Sequence, residues 1–401
     1  MNEENFNEAK SKFEEGLKLF EKKDYALAEK NFLECLNLVP QRLSVISNLI
    51  KIYIVNKQIQ KLDEILNQYN NLNDKKEILF GRAYNFFFKD NFDESIKICN
   101  QIVINNDIKY PIQDLLASNF KKKGNFLEAL RIYKNKLFEN RKDYKIYYNI
   151  GCLLFELGKI NQAYYFFKKS MNLNPNNCDI SWRFSLCALT LKDFKNGFLF
   201  YEDRWKRENP PKKKFDKIES PKNIGEIKDK KILIWDEQGL GDTINFSRFV
   251  IDILKYTKKV TFVVDKKLKE ILSSLDREIY VVDYENINEI DYDFQIALGS
   301  LPRLLNILST EDINFYKLSL PEKSTQKKYI DNKKFNIGLA WSGNPNYPMD
   351  KYRSISFNKF DKLLQLEKFN FYKLSKKTEK SELINLKTSS NIFDFGDKSL
   401  F

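Results

Sequence analysis

Histidine is absent from this 401-residue chain. With it go the commonest general base, the usual zinc ligand and every Ser–His or Cys–His catalytic arrangement. Chemistry carried by these residues would fall to carboxylates, lysines or a bound cofactor. Cysteine is scarce as well. Cys35, Cys99, Cys152, Cys178 and Cys187 are scattered, mostly within helical patterns and with no CxxC pair, which points to buried reduced thiols. No apolar run approaches the roughly 18 residues that a membrane span needs. Residues 1–10 lack the basic and then apolar regions of a secretory signal. The expectation is a cytoplasmic protein with no transmembrane segment and no metal.

Charge is plentiful and lopsided. Lys and Arg number 68 against 55 Asp and Glu, a net charge of +13. The lysines are interspersed with acids, and no basic stripe forms, so nucleic acid is not the expected partner; a phosphate-bearing substrate suits the same excess. Hydrophobic residues at 42% and charged residues at 31% describe a folded chain long enough for two or three domains.

The first half repeats itself. Gly16, Ala28, Phe32 and Pro40 recur with identical internal spacing as Gly151, Ala163, Phe167 and Pro175. Gly124, Ala129 and Tyr133 sit one 34-residue period before Gly158, Ala163 and Phe167. Ser95 and Cys99 mark a weaker copy, Gly197 and Tyr201 another, and residues 43–76 keep helical periodicity without the signature residues. The period is that of the tetratricopeptide (TPR) unit, a helical hairpin. Small residues belong where two helices touch, aromatics fill the groove against the next unit, and proline follows the second helix. About five or six units over residues 7–207 predict a TPR α-solenoid, taken as residues 1–207, with a concave face for a protein or peptide partner. The aromatic runs 86–88 and 164–167 are read as packing rather than as a binding surface.

Residues 208–228 change character, with Pro210, Pro211, Pro221 and the lysines 212–214, and are read as a solvated linker. From Lys230 short apolar strands alternate with helices. Strands are predicted at 231–235, 260–264, 279–282 and 293–298, and helices at 243–256, 267–275 and 301–308. This alternation implies a parallel sheet with its site at the carboxyl ends of the strands. The loop after the first strand is Asp236-Glu237-Gln238-Gly239-Leu240-Gly241-Asp242-Thr243. Its glycines allow a tight turn close to a ligand, and the next helix offers free N–H groups to an anion or a sugar oxygen. Ile244 stands where a dinucleotide fingerprint would need a third glycine, and no Walker motif is present. Asp242 has a second reading, as the cap of the helix that starts beside it.

Three stretches carry a family resemblance: the last repeat with its linker (Asp193 to Lys206), residues 234–243, and Gly338-Leu339-Ala340-Trp341-Ser342-Gly343-Asn344-Pro345 followed by Tyr352-Arg353-Ser354-Ile355. Together they resemble bacterial TPR proteins fused to a heptosyltransferase-like glycosyltransferase domain of the two-Rossmann (GT-B) type, similar to glycosyltransferase family 9. The resemblance covers nearly the whole chain. It implies a first Rossmann-like, acceptor-side domain at 229–325 and the start of a second, donor-side domain at 326–401. That second domain is expected to be incomplete, with strand-like segments only at 335–341, 370–374 and 391–395 before Phe401. The implied activity is metal-independent transfer of a sugar from a nucleotide-activated donor to a protein or glycan acceptor, with no cofactor beyond the nucleotide sugar. Asp242 matches the general base of the family. Gln238, Gly239, Gly241 and Thr243 are candidate substrate-binding residues. Ser342, Gly343 and Asn344, with the cations Lys351 and Arg353, would face the donor diphosphate. Arg353 has a second reading, packed against its own domain. The alternative for the whole chain is a TPR interaction scaffold with a degenerate, non-catalytic glycosyltransferase remnant.

Overall fold

The structure is a computed structural model, and it describes residues 3–104, 111–287, 291–318, 333–343, 350, 353–374 and 392–393. The chain divides into two compact units, residues 1–212 with 306–313, and residues 213–305 with 314–401.

The first unit is a TPR-like helical solenoid. Six hairpins follow one another among the described residues: α1 (Glu3–Glu21) with α2 (Tyr25–Leu38), α3 (Leu43–Val55) with α4 (Ile59–Gln68), α5 (Lys76–Phe88) with α6 (Phe92–Ile104), α7 (Ile112–Lys122) with α8 (Phe126–Glu139), α9 (Tyr144–Glu156) with α10 (Ile160–Leu173), and α11 (Cys178–Thr190) with α12 (Phe194–Tyr201). Each hairpin turns on one residue of left-handed backbone: Lys23, Lys57, Asp90, Gly124, Gly158 and Lys192, spaced by 33 or 34 residues. At every turn the following N–H reaches back five residues, from Asp24 to the Leu19 carbonyl at 2.9 Å in the first hairpin and from Asp193 to that of Ala188 at 2.9 Å in the last. The left-handed N–H bonds three residues back, as Lys23 does to Phe20. This paired closure satisfies carbonyls that a helix end leaves open.

The crossing points explain the repeated small residues. Ala28, Ala129 and Ala163 are wholly buried, as are Phe32 and Phe167. A Cβ on Gly16 would lie 2.7 Å from the Phe32 ring. In the second hairpin Ile50 and Leu62 occupy the equivalent places and are equally buried, so that unit packs with larger side chains and loses the signature. The unit keeps equivalent polar contacts too. The Cys35 thiol donates to the Ala9 carbonyl (3.2 Å), and four units later the Ser170 hydroxyl donates to that of Tyr144 (2.8 Å). All five cysteines are free, and Cys152 and Cys178 are half-buried where full burial is the sequence expectation. Burial pushes the Cys99 and Cys187 thiols up to about 12, which keeps them unreactive. Tyr165, in one of the aromatic runs read as packing, is 55% exposed.

The second unit holds two small parallel sheets. The first contains β1 (Ile232–Trp235), β2 (Val260–Val264), β3 (Ile279–Asp283) and β4 (Phe294–Ala297) in the order β3-β2-β1-β4. Ile232 pairs with Val260 on one side and Phe294 on the other. Every residue of β1 and β2 is buried, as sequences apolar at every position but Thr261 require of a sheet covered on both faces. The second sheet is β5 (Phe335–Leu339), β6 (Phe369–Lys373) and β7 (Ile392–Phe393), in that order. Trp341 and Phe357 pack in its core with ring centroids 4.8 Å apart.

The helix predicted over 243–256 is instead two short ones, α13 (Leu240–Phe246) and α14 (Arg248–Ile253). The Ser247 hydroxyl donates to the Ile244 carbonyl (2.8 Å), and the Arg248 guanidinium to that of Asn245 (2.8 Å). Those carbonyls would otherwise accept the next helical N–H groups, so side chains compete the helix apart. The helices predicted at 267–275 and 301–308 are shorter, as α15 (Lys266–Leu272) and α16 (Leu301–Leu304). A further short helix, α17 (Asp361–Leu364), precedes β6.

The stretch read as a linker is structured from Lys213 onward. Gln295 of β4 donates its N–H to the Glu219 carbonyl (2.9 Å), and its side-chain amide donates to Ser220 (2.7 Å). The Trp235 indole N–H donates to the Gln295 amide oxygen at 2.5 Å. The segment thus satisfies backbone on the side of β4 away from β1, where an edge strand would otherwise be open.

Candidate functional site

β1 delivers its loop where the strand order changes direction: β2 and β3 lie to one side of β1 and β4 to the other. In open parallel sheets such a point leaves a crevice at the strand ends. Asp236, the first loop residue, is 4% exposed. Its carboxylate accepts from the Lys214 ammonium (2.7 Å), the Asp265 backbone N–H (2.9 Å) and the Tyr284 hydroxyl. Lys214 also lies 3.8 Å from the Tyr284 ring centroid, and Phe215 stacks on the same ring. Burial, reinforced by the Asp236 carboxylate, raises the Tyr284 phenol far above its ordinary range. Lys214 is therefore a structural partner of the β1 loop and not the solvated linker residue that the sequence suggests. Nothing in the spacing of Lys214, Asp236 and Tyr284 announces this cluster, because the three come together only through the sheet.

Glu237 ties the β1 loop to the end of β4 by accepting the Gly299 N–H (2.8 Å). Glu237, Gln238, Asp242, Thr243, Phe246, Leu298 and Gly299 line a cavity of about 10 Å³, room for roughly a single water. Gln238, Asp242 and Thr243 thus come together as the sequence groups them. Thr243 is buried and its hydroxyl donates to the Gly239 carbonyl (3.2 Å), so it holds the helix start. The capping reading of Asp242 fails. Gly239 occupies the cap position and Asp242 is the third residue of α13, exposed and without a hydrogen bond or ion pair among the described residues. Neither Gly239 nor Gly241 has the left-handed backbone that a tight turn would demand. A Cβ at Gly241 would meet nothing within 4 Å.

In the second sheet the Trp341 strand end leads to Ser342 and Gly343, both exposed. The Gly343 N–H donates to the Ser354 hydroxyl (3.1 Å), which donates to Asp350 (2.8 Å). Arg353 pairs with Asp350 at 2.9 Å, and a Cβ on Gly343 would come within 2.5 Å of the guanidinium. The Arg353 guanidinium, and then the Ser354 hydroxyl, hold the Asp350 carboxyl below the usual carboxylate range. In this arrangement Arg353 packs on its own turn. Asn344 and Lys351 lie outside the described residues.

The tetratricopeptide repeat family model matches residues 144–177, the α9–α10 unit. The chain is a TPR-containing protein. No curated protein matches it. Among solved structures it is similar to PilW, a widely conserved type IV pilus biogenesis factor, at 17% identity over 51% of this chain and 94% of that one, with a TM-score of 0.44. It is also similar to pilF of Pseudomonas aeruginosa (11% identity, 51% and 93%, TM-score 0.42) and to a tetratricopeptide repeat protein from Parabacteroides merdae (15%, 51% and 81%, TM-score 0.39). Among the described residues no helix is long and apolar enough to cross a membrane, and no group of three metal-ligating side chains converges.

Proposed function

We propose that the chain is a protein-interaction scaffold whose TPR array holds an extended partner segment along its first helices. The observation that carries this is the register of those helices. Tyr84, Ser118, Cys152 and Leu186 recur every 34 residues and are half-buried, and so are Phe87, Phe155 and Leu189 in a second row, with Lys121 exposed in it. Two rows of half-covered side chains, apolar at most positions, leave area for an extended chain to bury. Selection of a random peptide library on the whole protein tests this. Peptides so selected should bind Tyr84→Glu and Phe155→Glu variants at least about tenfold more weakly, with far-UV circular dichroism unchanged. Equal binding by the variants would overturn the reading.

A second reading, for the α/β unit, is a heptosyltransferase-like glycosyltransferase with a nucleotide-sugar donor. It rests on the sequence motifs at 234–243 and 338–355, and it is favoured by the exposed, uncommitted carboxylate of Asp242 beside the crevice. There Asp242 would take the proton of an acceptor hydroxyl as it attacks the sugar. Asp242→Asn should abolish transfer to an acceptor while leaving donor binding intact; a fully active variant would refute that role.

A further inference from the structure

A cavity in the α/β unit lies on the other flank of α13 from Glu237 and Thr243. It measures about 250 Å³ and is lined by Gly241, Ile244, Asn245, Ser247, Arg248, Leu275, Tyr316 and Leu318. Three features of its wall identify an occupant.

The first is charge. Arg248 donates to the backbone carbonyl of Asn245 (2.8 Å) and to its side-chain oxygen (3.0 Å), both neutral acceptors, and its guanidinium lies 5.6 Å from the Phe315 ring centroid. No carboxylate pairs with it among the described residues. The nearby Asp252 carboxylate is already engaged by Lys255 (2.8 Å), Asn314 (2.7 Å) and the Tyr316 hydroxyl (3.2 Å). Among the described residues the wall contains no acidic side chain, so there the cavity carries an uncompensated positive charge held in place by its own hydrogen bonds.

The second feature is Gly241. Its backbone is not left-handed and a Cβ there would strike nothing, so the fold does not require glycine. Because Gly241 lines the cavity, any side chain at this position would be set at its wall, and glycine leaves that wall bare. The third is the mixed lining. Apolar Ile244, Leu275 and Leu318 with the Tyr316 ring offer a surface for C–H groups, while Asn245 and Arg248 offer polar atoms. A bare oxyanion would use only the guanidinium and leave most of the volume unfilled.

We propose that this cavity binds a sugar phosphate, with its phosphate on Arg248 and its ring between the Tyr316 face and Gly241. Guanidinium and phosphate match in charge and in paired donor geometry. The inference takes the glycosyltransferase reading as its setting and names the acceptor class for Asp242: a phosphorylated saccharide whose hydroxyl reaches past Gly241.

The test is equilibrium binding to the whole chain, with glucose 6-phosphate as probe and glucose and inorganic phosphate as controls. Glucose 6-phosphate should bind at least about tenfold more tightly than either control. Arg248→Gln should weaken that binding about tenfold or more, and Arg248→Lys less, since charge survives but the paired donors do not. Gly241→Val should weaken it without altering charge, and circular dichroism should show each variant folded. Absence of binding, equal binding of inorganic phosphate, or undiminished binding by folded Arg248→Gln would overturn the proposal. None of these outcomes touches the Asp242 test, which reads transfer. Sugar-phosphate binding without any transfer would sink the enzyme reading alone.

Discussion

A Cβ on Gly151 would sit 2.8 Å from the ring of Phe167, closer than side-chain carbons pack, and that ring is wholly buried where α9 crosses α10. The glycine is a statement about helix distance, because any side chain must push the ring or the helix away. Gly151→Val is expected to destabilise the array by about 1–3 kcal/mol through overpacking, read as a lower midpoint of thermal unfolding. Phe167→Leu in the same chain should recover part of that loss, since the two positions are in contact and do not add. An unchanged midpoint in Gly151→Val would mean that the hairpin opens at no cost.

The repeat architecture was legible because such crossings demand small residues at fixed intervals. It was less legible where packing found another solution. Ile50 and Leu62 are both buried at the second crossing, so only helical periodicity marks that unit. The six turns are uniform in backbone, yet only Gly124 and Gly158 declare it in sequence. Of the other four positions three carry lysine, which no turn rule selects, and Asp90 has a side chain that tolerates left-handed backbone but is too common elsewhere to mark a turn.

Those four residues accept left-handed backbone at a cost. A side chain there is unfavourable by roughly 1–2 kcal/mol against ordinary helical backbone, a penalty that glycine avoids while losing some unfolded-state entropy. Lys57→Gly is therefore expected to stabilise the solenoid by about 0.5–1 kcal/mol, and Gly124→Ala to destabilise it by about 1 kcal/mol. Urea unfolding followed by circular dichroism would measure both. A stabilising Gly124→Ala would show that the turn relaxes out of the left-handed region.

Acid should act on the α/β unit through Asp283, at the end of β3. The Lys269 ammonium, 2.8 Å away, and the Asn286 amide hold this buried carboxyl down to about 2. A carboxyl with a lowered folded pKa stabilises the fold above its unfolded value, near 3.9, and that contribution fades as pH falls from about 4 to about 2. Asp283→Asn should lose this part of the pH dependence and differ from the natural protein more at pH 6 than at pH 2. Tryptophan fluorescence follows the unfolding, since Trp235 is buried in the same sheet. Parallel pH profiles for the two proteins would remove Asp283 from the acid response.

In the candidate site, sequence gave the address of the β1 loop, and the structure supplied what holds it. Gln238, Asp242 and Thr243 are near neighbours in sequence and stay so in space. Lys214, Asp236 and Tyr284 are separated by 22 and 48 residues, and no local pattern links them. Donor-side residues could not be read as a unit, because Arg353 is drawn to Asp350 within its own turn.

Asp236 gives the clearest test of what fixes that loop. Its buried carboxylate accepts from an ammonium, a phenol and a backbone N–H immediately before the residues that line the crevice. Asp236→Asn removes the charge and leaves Lys214 without its counter-ion. Lys214 is 40% exposed and can turn to solvent, so the loss of stability should stay near 1–2 kcal/mol, below that of a fully buried pair. The larger effect should fall on the loop itself, with amide hydrogen exchange at residues 237–242 rising well above the natural protein while β2 remains protected. Adding Lys214→Met to Asp236→Asn should bring stability closer to natural than the two single losses would sum to, because the second change removes the stranded cation. Exchange unchanged in Asp236→Asn would mean that Glu237, through the Gly299 N–H, is sufficient to hold the loop alone.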